Sequence, residues 1–306
     1  MGRFLFKRFY LTILVMLAVS IIAFGLIRLI PGDPAYVILG VNATDELVAE
    51  ARVALGLDKP IAVQYLIYLR NMLQGDLGMS TTYNQACATV LLPRIAGTMS
   101  LAFAAFLLAF VFSIPLGIIA GIKKGAFADL FATLFALLGN ACSPVWIGSV
   151  LILVFAVQLK WLPTQGYGTL KSIILPAITL GLAMSASIVR QLRSGMYETL
   201  QEDYITATRA RGVPRISIYG KYALKNAMMP VITVIGINIA QMLAGSAVVE
   251  TVFGWPGLGS MLVTAINNRD YSLLQACILV SCVIFVLANL LLDIMYSLAD
   301  PRAKLE

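Results

Sequence analysis

Six stretches of this sequence match the length and apolarity of a bilayer-crossing helix, which takes about 20 residues. They are Phe9–Ile30, Thr98–Ile122, Leu130–Val157, Ile173–Val189, Met228–Val249 and Leu274–Tyr296. Lipid offers no partner for open backbone N–H and C=O groups, so each run enters as a helix or not at all. The composition agrees. Apolar residues make up 60% of the 306, mean hydropathy is +0.89, and only 12% of residues are charged. A soluble domain carries about 25% charged residues, and half of that leaves too little to cover a wet surface. Disorder needs the opposite composition and is excluded. The expected fold is an all-α integral membrane protein of six transmembrane helices.

Arg3, Lys7 and Arg8 precede the first run, as in a signal peptide. The run is too long for one, however, and leads into Pro31-Gly32-Asp33-Pro34 instead of a small-residue cleavage site. It reads as a retained helix. With the N-terminus cytoplasmic, fourteen of the 22 Lys and Arg residues fall on the cytoplasmic side and eight outside. The short loops agree in sign, with Lys123-Lys124 inside. Both termini are then cytoplasmic. The formal net charge of +7 lies wholly on that side, and nucleic acid is not needed to explain it.

There is no histidine, so this chain has no imidazole for acid–base chemistry or metal ligation. Of four cysteines, Cys142, Cys277 and Cys282 sit in apolar runs and none forms a C-x-x-C pair. They read as small buried apolar residues, and no metal set is expected.

The longest exported piece runs from 31 to 97. Thr44-Asp45-Glu46 reads as a helix start stopped at Gly56, and Asp58 and Pro60 open a second amphipathic stretch. On that stretch Ile61, Tyr65, Leu69, Met72 and Leu73 share a face. The segment is expected to be a helical cap, or a lid or docking surface for an external partner. On the cytoplasmic side the only long polar stretch is Arg190–Asn226. Asp203 suits an N-cap, Gly212 a left-handed C-terminal cap, and Pro214 a stop. The expectation is a short helix of about two turns, with basic residues at its end. Tyr204 and Ile205 are its only large apolar residues, too few to hold it on lipid headgroups, so it reads as a protein-docking element.

Polar residues inside spans need a reason, because lipid makes them costly. Asn140 and Ser143, beside Pro144, interrupt the third span, and Asn238, Gln241 and Ser246 lie along the fifth. They are candidates for a polar pathway, or for packing against a partner helix. Asp293 near the end of the last span is expected to pair with Arg190 or Arg193. Glu250, Phe253, Trp255, Pro256 and Gly257 follow the fifth span and are candidates for a structured outer loop or gate.

The segment Asp203-Tyr204-x4-Arg209-Ala210-x-Gly212, followed by Ala223-Leu224-x-Asn226-Ala227-x2-Pro230, resembles the EAA loop of ABC-importer permeases. The resemblance is to the dipeptide, oligopeptide and nickel permeases, B-type subunit, and covers nearly the whole chain. It includes Arg28-Leu29-Ile30-Pro31-Gly32-Asp33-Pro34, Leu55-Gly56-Leu57-Asp58-x-Pro60, Gly75-Asp76-Leu77-Gly78-x-Ser80 and Trp161-Leu162-Pro163. It continues through Glu250-x2-Phe253-x-Trp255-Pro256-Gly257-Leu258-Gly259, Arg269-Asp270-Tyr271 and Asp300-Pro301-Arg302. Tyr222 stands where the family often has His.

The resemblance implies a type I importer permease in a bacterial inner membrane. Residues 1–30 would hold the tail and first helix, 31–97 an extracytoplasmic helical segment, 94–297 a five-helix core with the coupling loop at 190–226, and 298–306 a cytoplasmic tail. It implies that Asp203, Tyr204, Ala207, Arg209, Ala210, Arg211 and Gly212 couple the chain to an ATPase. The implied partners are a second homologous permease chain in a heterodimer, two ATPase subunits carrying ATP and Mg, an extracytoplasmic substrate-binding protein, and membrane lipid. No cofactor belongs to this chain, and catalytic residues are not expected. No G-x-x-x-x-G-K-[ST] phosphate loop occurs; Gly117-x-x-x-Gly121 reads instead as close helix packing. The cargo would be a di- or oligopeptide, or a nickel or metal-chelate complex. The competing expectation is a stand-alone channel or secondary transporter, which six spans with little intramembrane charge and no repeat suit less well.

Overall fold

Pro144 opens a new helix where an apolar run breaks, whereas Pro176 and Pro230 stand inside continuous helices. The computed structural model describes residues 2–29 and 58–299, with 44, 46, 49, 52 and 53 between them. Side chains at 2–9, 26–29, 240–241, 243–245 and 292–299 lie outside the description. Of the expected helix after Thr44, residues 46, 49, 52 and 53 are helical and the others lie outside the described residues, as do the tail at 300–306 and the side chains of Gln241 and Asp293.

The chain divides into two compact units, Met1–Thr98 with Pro256–Leu287 and Met99–Trp255 with Ala288–Glu306. The first contains α1 (Gly2–Leu29), α2 (Ile61–Leu73) and an antiparallel hairpin of β1 (Met79–Ser80) and β2 (Gln85–Ala86). It also holds the start of α3 (Cys87–Ile122), α9 (Leu258–Asn267) and most of α10 (Tyr271–Ala299). The amphipathic stretch after Pro60 is α2, as its spacing requires. Its covered face is only half-buried, with Tyr65, Leu69 and Met72 partly covered and Ile61 and Leu73 exposed. Tyr65 and Tyr68 meet Phe24 of α1 at ring distances of 5.2 and 5.5 Å, and Tyr65 Oη shares a hydrogen bond with Ser20 Oγ. The small core joins Cys87 and Leu91 of α3 to Met261 of α9 and Leu273 and Cys277 of α10. The hairpin was not expected: two residues per strand are too few to show a period-2 pattern.

The second unit is built on α6 (Leu170–Thr199), which packs on α8 (Leu224–Val252), α4 (Phe127–Ala141) and α5 (Pro144–Leu151). Buried Leu180, Met184, Ile188, Leu192 and Met196 follow its 3.6-residue period. The seam with α3 is too tight for added atoms. A Cβ on Gly121 would stand 2.5 Å from Met196 Cβ, and one on Gly181 2.7 Å from the Ala105 carbonyl oxygen. The α6 helix runs ten residues beyond the expected span end at Val189, because Leu192 and Met196 continue its buried face. Residues 190–199 are therefore helix, and the polar stretch is correspondingly shorter.

The third apolar run is not one straight span. The helices 127–141 and 144–158 are bent by 109°, at a break where Cys142 and Ser143 are extended and Pro144 starts the new helix. Pro fits a first helical turn but cannot continue an existing one. A π-helical segment, Ile152–Gln158, ends this arm. Among the described residues, four helices are long and apolar enough to cross a membrane, or five if the bent pair is one span; the apolar part of α1, Tyr10–Gly25, is shorter.

Candidate functional site

After α6 the chain turns at residues 200–202 into α7 (Asp203–Ala210). The N-cap is Glu202, with extended backbone, and Asp203 is the first helical residue. The sequence reading placed the cap one residue late; Asp203 instead supplies the acidic first turn that complements the helix dipole. Arg209 occupies the last turn, where a cation is favourable. Gly212 follows at φ +75°, the left-handed conformation expected of a C-terminal cap.

One side chain plugs α7 into the rest of the chain. Ile205 is fully buried in the core that also holds Ile218, Ala223, Ala227 and Met196. A polar clamp lies beside it. Asn226 Nδ2 donates to Tyr204 Oη at 2.6 Å, and Tyr204 O–H donates to the Tyr222 carbonyl at 3.4 Å. The two halves of the motif, 22 residues apart, therefore meet through Tyr204 and Asn226. Tyr222 takes part through its backbone. Asp203, Ala207, Arg209, Ala210, Arg211 and Gly212 are all exposed, and Ile216 just beyond is 82% exposed. The result is a firmly seated helix with an open basic rim and a protruding apolar side chain. That geometry suits docking. Among the described residues no three His, Cys, Asp or Glu side chains gather as a metal site.

The proposed pathway residues fall in two places. Asn140 is exposed near the break between α4 and α5; its Nδ2 donates to the Ala136 carbonyl and its Oδ1 accepts from Ser187 of α6 at 3.2 Å. Ser143 is exposed in the break itself. Asn238 is buried within α8 and donates to the Val234 carbonyl at 2.7 Å; Ser246 is buried too. Arg193, one of the two arginines offered to Asp293, forms an ion pair with Asp129 of α4, whose other oxygen accepts from the Gly125 N–H at 2.8 Å. Only the first-turn position of Asp129 in a helix could have hinted at this.

The segment expected as an outer loop begins inside α8, which runs on to Val252, so Glu250 is helical. Glu250, Phe253 and Trp255 are buried, Phe253 lies against Gly148 of α5, and Tyr167 meets Trp255 edge-on at 4.9 Å. Tyr167 was missed because nothing local marks it. Pro256 and Gly257 belong to the other unit, where the Pro256 carbonyl sits directly against Gly97. In that unit Asp270 is fully buried and unites two segments 190 residues apart. It accepts from Ser80 Oγ at 2.5 Å, from Thr82 N–H at 3.0 Å and from Leu273 N–H at 3.1 Å. Burial pushes its carboxyl up, but these donors outweigh burial and hold it below the usual carboxylate range.

An apolar helical body with four helices of membrane-crossing length among the described residues, or five with the bent pair, defines the class of multi-pass membrane proteins. The chain belongs to the binding-protein-dependent transport system inner membrane component family, which it matches over residues 113–305, with that family's N-terminal region matched over 1–102. It is 38% identical to a probable peptide ABC transporter permease protein of Sinorhizobium fredii, over 99% of this chain and 100% of that one. It is 37% identical to a di/tripeptide transport system permease protein of Pseudomonas aeruginosa, over 99% of each chain. A glutathione transport system permease protein of Escherichia coli is 37% identical, again over 99% of each. Its fold resembles that of the inward-facing MetNI methionine ABC transporter, with a TM-score of 0.58 and 17% identity, over 69% of this chain and 96% of that one. The chain is thus an ABC-importer permease subunit of the inner membrane.

Proposed function

We propose that this chain is one of two permease chains in an ATP-driven importer of short peptides handed over by an extracytoplasmic binding protein. The observation that carries the reading is α7, seated by Ile205 and the Tyr204–Asn226 clamp with its remaining surface exposed. A groove on one of two ATPase subunits, which bind ATP and Mg, receives that surface. ATP-driven movement of α7 then passes through Ile205 to α6 and α8. The cargo class follows the names of the relatives, all of which concern peptides or glutathione. The chain crosses the membrane six times with both termini cytoplasmic, which puts α7 on the ATPase side and Asp270 outside. It hydrolyses nothing itself and needs no cofactor of its own. Proteoliposomes holding the second permease chain, both ATPases and the binding protein should take up a labelled dipeptide only with ATP. Uptake by this chain alone, without ATPases, would overturn the reading in favour of a channel or secondary carrier.

A further inference from the structure

A groove of about 640 Å³ lies between α3, α4 and α6. Phe112 and Ile119, Phe131 and Phe135, and Leu182 line it, and Ser185 is its one hydroxyl residue. That volume suits a drug-sized or lipid-chain occupant, and the lining gives such an occupant almost nothing to hydrogen-bond.

One end of the groove has the opposite chemistry. Lys124 stands five residues past Ile119 on the α3 side, and Arg190 and Arg193 stand five and eight past Ser185 on α6. Two small cavities open there. One, of about 80 Å³, is lined by Lys124, Arg193, Ser194 and Tyr197; the other, of about 90 Å³, by Thr133, Arg190 and Arg193. The Lys124 ammonium lies 3.4 Å from the centre of the Tyr197 ring. Asp129 is occupied by Arg193 and the Gly125 N–H, and Ser194 Oγ donates to Glu198. The ion pair engages the Arg193 Nε–H, one of five donors on a guanidinium. With exposed Lys123, four cations face two carboxylates, Asp129 and Glu198.

We propose that this groove and its basic end form a binding site for an anionic phospholipid. The acyl chain lies along Phe112, Phe131 and Leu182, and the headgroup phosphate meets Lys124 and Arg190. An apolar trough with cations at one end only has the polarity of a lipid. Basic pockets between spanning helices favour anionic headgroups over zwitterionic ones.

The test uses the purified four-subunit transporter, with native mass spectrometry counting lipids retained after exchange into detergent with added dioleoyl phosphatidylglycerol or dioleoyl phosphatidylcholine. The wild type should retain phosphatidylglycerol selectively. Retention should fall about thirtyfold in the K124Q/R190Q double variant, the worth of two cations near a membrane surface. Filling the trough with Val111→Trp should abolish retention with every cation in place, and inorganic phosphate should not compete. Equal retention of both lipids, or full retention by the double variant, overturns the site. A photo-crosslinker at position 112 that labels the second permease chain instead of lipid also overturns it, and identifies the groove as a subunit interface. If the double variant fails to assemble, loss of retained phosphatidylglycerol from the wild type with rising salt supplies the same reading, and salt-independent retention refutes it.

Discussion

Gly212 offers a clean separation of backbone effects from contact effects. Its φ of +75° lies in the left-handed region, and a Cβ built there would find nothing within 4 Å in this chain. An L-residue at that position therefore loses no room, only conformational energy, about 1–2 kcal/mol for Ala. Asn tolerates the left-handed region and should lose a fraction of that. A loss of 1–2 kcal/mol lowers the capped population of α7 about five- to thirtyfold relative to competing loop conformations. The expected order of coupling is Gly, then Asn, then Ala, then Val, whose branched Cβ adds strain. The assay is substrate-stimulated ATP hydrolysis by the reconstituted transporter, alongside the amount of chain in the membrane. The wild type and the three variants should insert equally. If Gly212 were instead kept small because a partner surface closes on it, bulk would decide, and Ala would exceed Asn. That order, or no difference among the variants, refutes the backbone argument.

Three further outcomes follow from burial and hydrogen bonding. Ile205→Ala should loosen α7 by about 2–5 kcal/mol, the range for truncating a buried aliphatic side chain, and faster tryptic cleavage at Arg209 and Arg211 reports it; unchanged cleavage contradicts the single-plug description. Gly97→Ala should destabilise the chain by about 1–3 kcal/mol, as overpacking does, because its Cβ collides with the Pro256 carbonyl oxygen, a backbone atom that cannot swing away; an unchanged melting temperature in detergent argues against that close approach. Asp270 is held below its unfolded value near 3.9, so its stabilising contribution is complete above that pH and is lost as pH falls through the lower folded value. Melting temperatures from pH 6 to pH 3 should therefore drop more steeply for the wild type than for Asp270→Asn, and parallel curves count against an ionised Asp270.

The helical class was legible because burying apolar runs in lipid leaves one backbone solution. So was α7: Gly212, Pro214 and the acidic first turn are local signals, and local signals survive without tertiary knowledge. The Asp203 cap was off by one residue because α7 starts from Glu202 with no side-chain cap hydrogen bond, so the residue type that favours capping did not decide the boundary. What stayed hidden was long-range. Asp293 was offered Arg190 or Arg193, and Arg193 proves to hold Asp129 instead. Ser80 and Asp270 each stood in a recognisable motif, yet nothing local says that they touch. The polarity of Asn238 argued equally for a wet face and for packing, and the i−4 carbonyl that satisfies it emerges only from the folded helix. The 109° bend was visible as Ser143-Pro144, but its size depends on what the two arms pack against.

The glycine seam between α3 and α6 bears on how such a chain moves. At Gly121 and Gly181 the neighbouring chain already occupies the place of a side chain. The two helices meet there with no slack: Gly117 faces Leu192 one turn before Gly121 faces Met196, so the close approach extends over a full turn. If α7 couples to an ATPase, its movement carries the end of α3 and the body of α6 together, and the bending falls elsewhere.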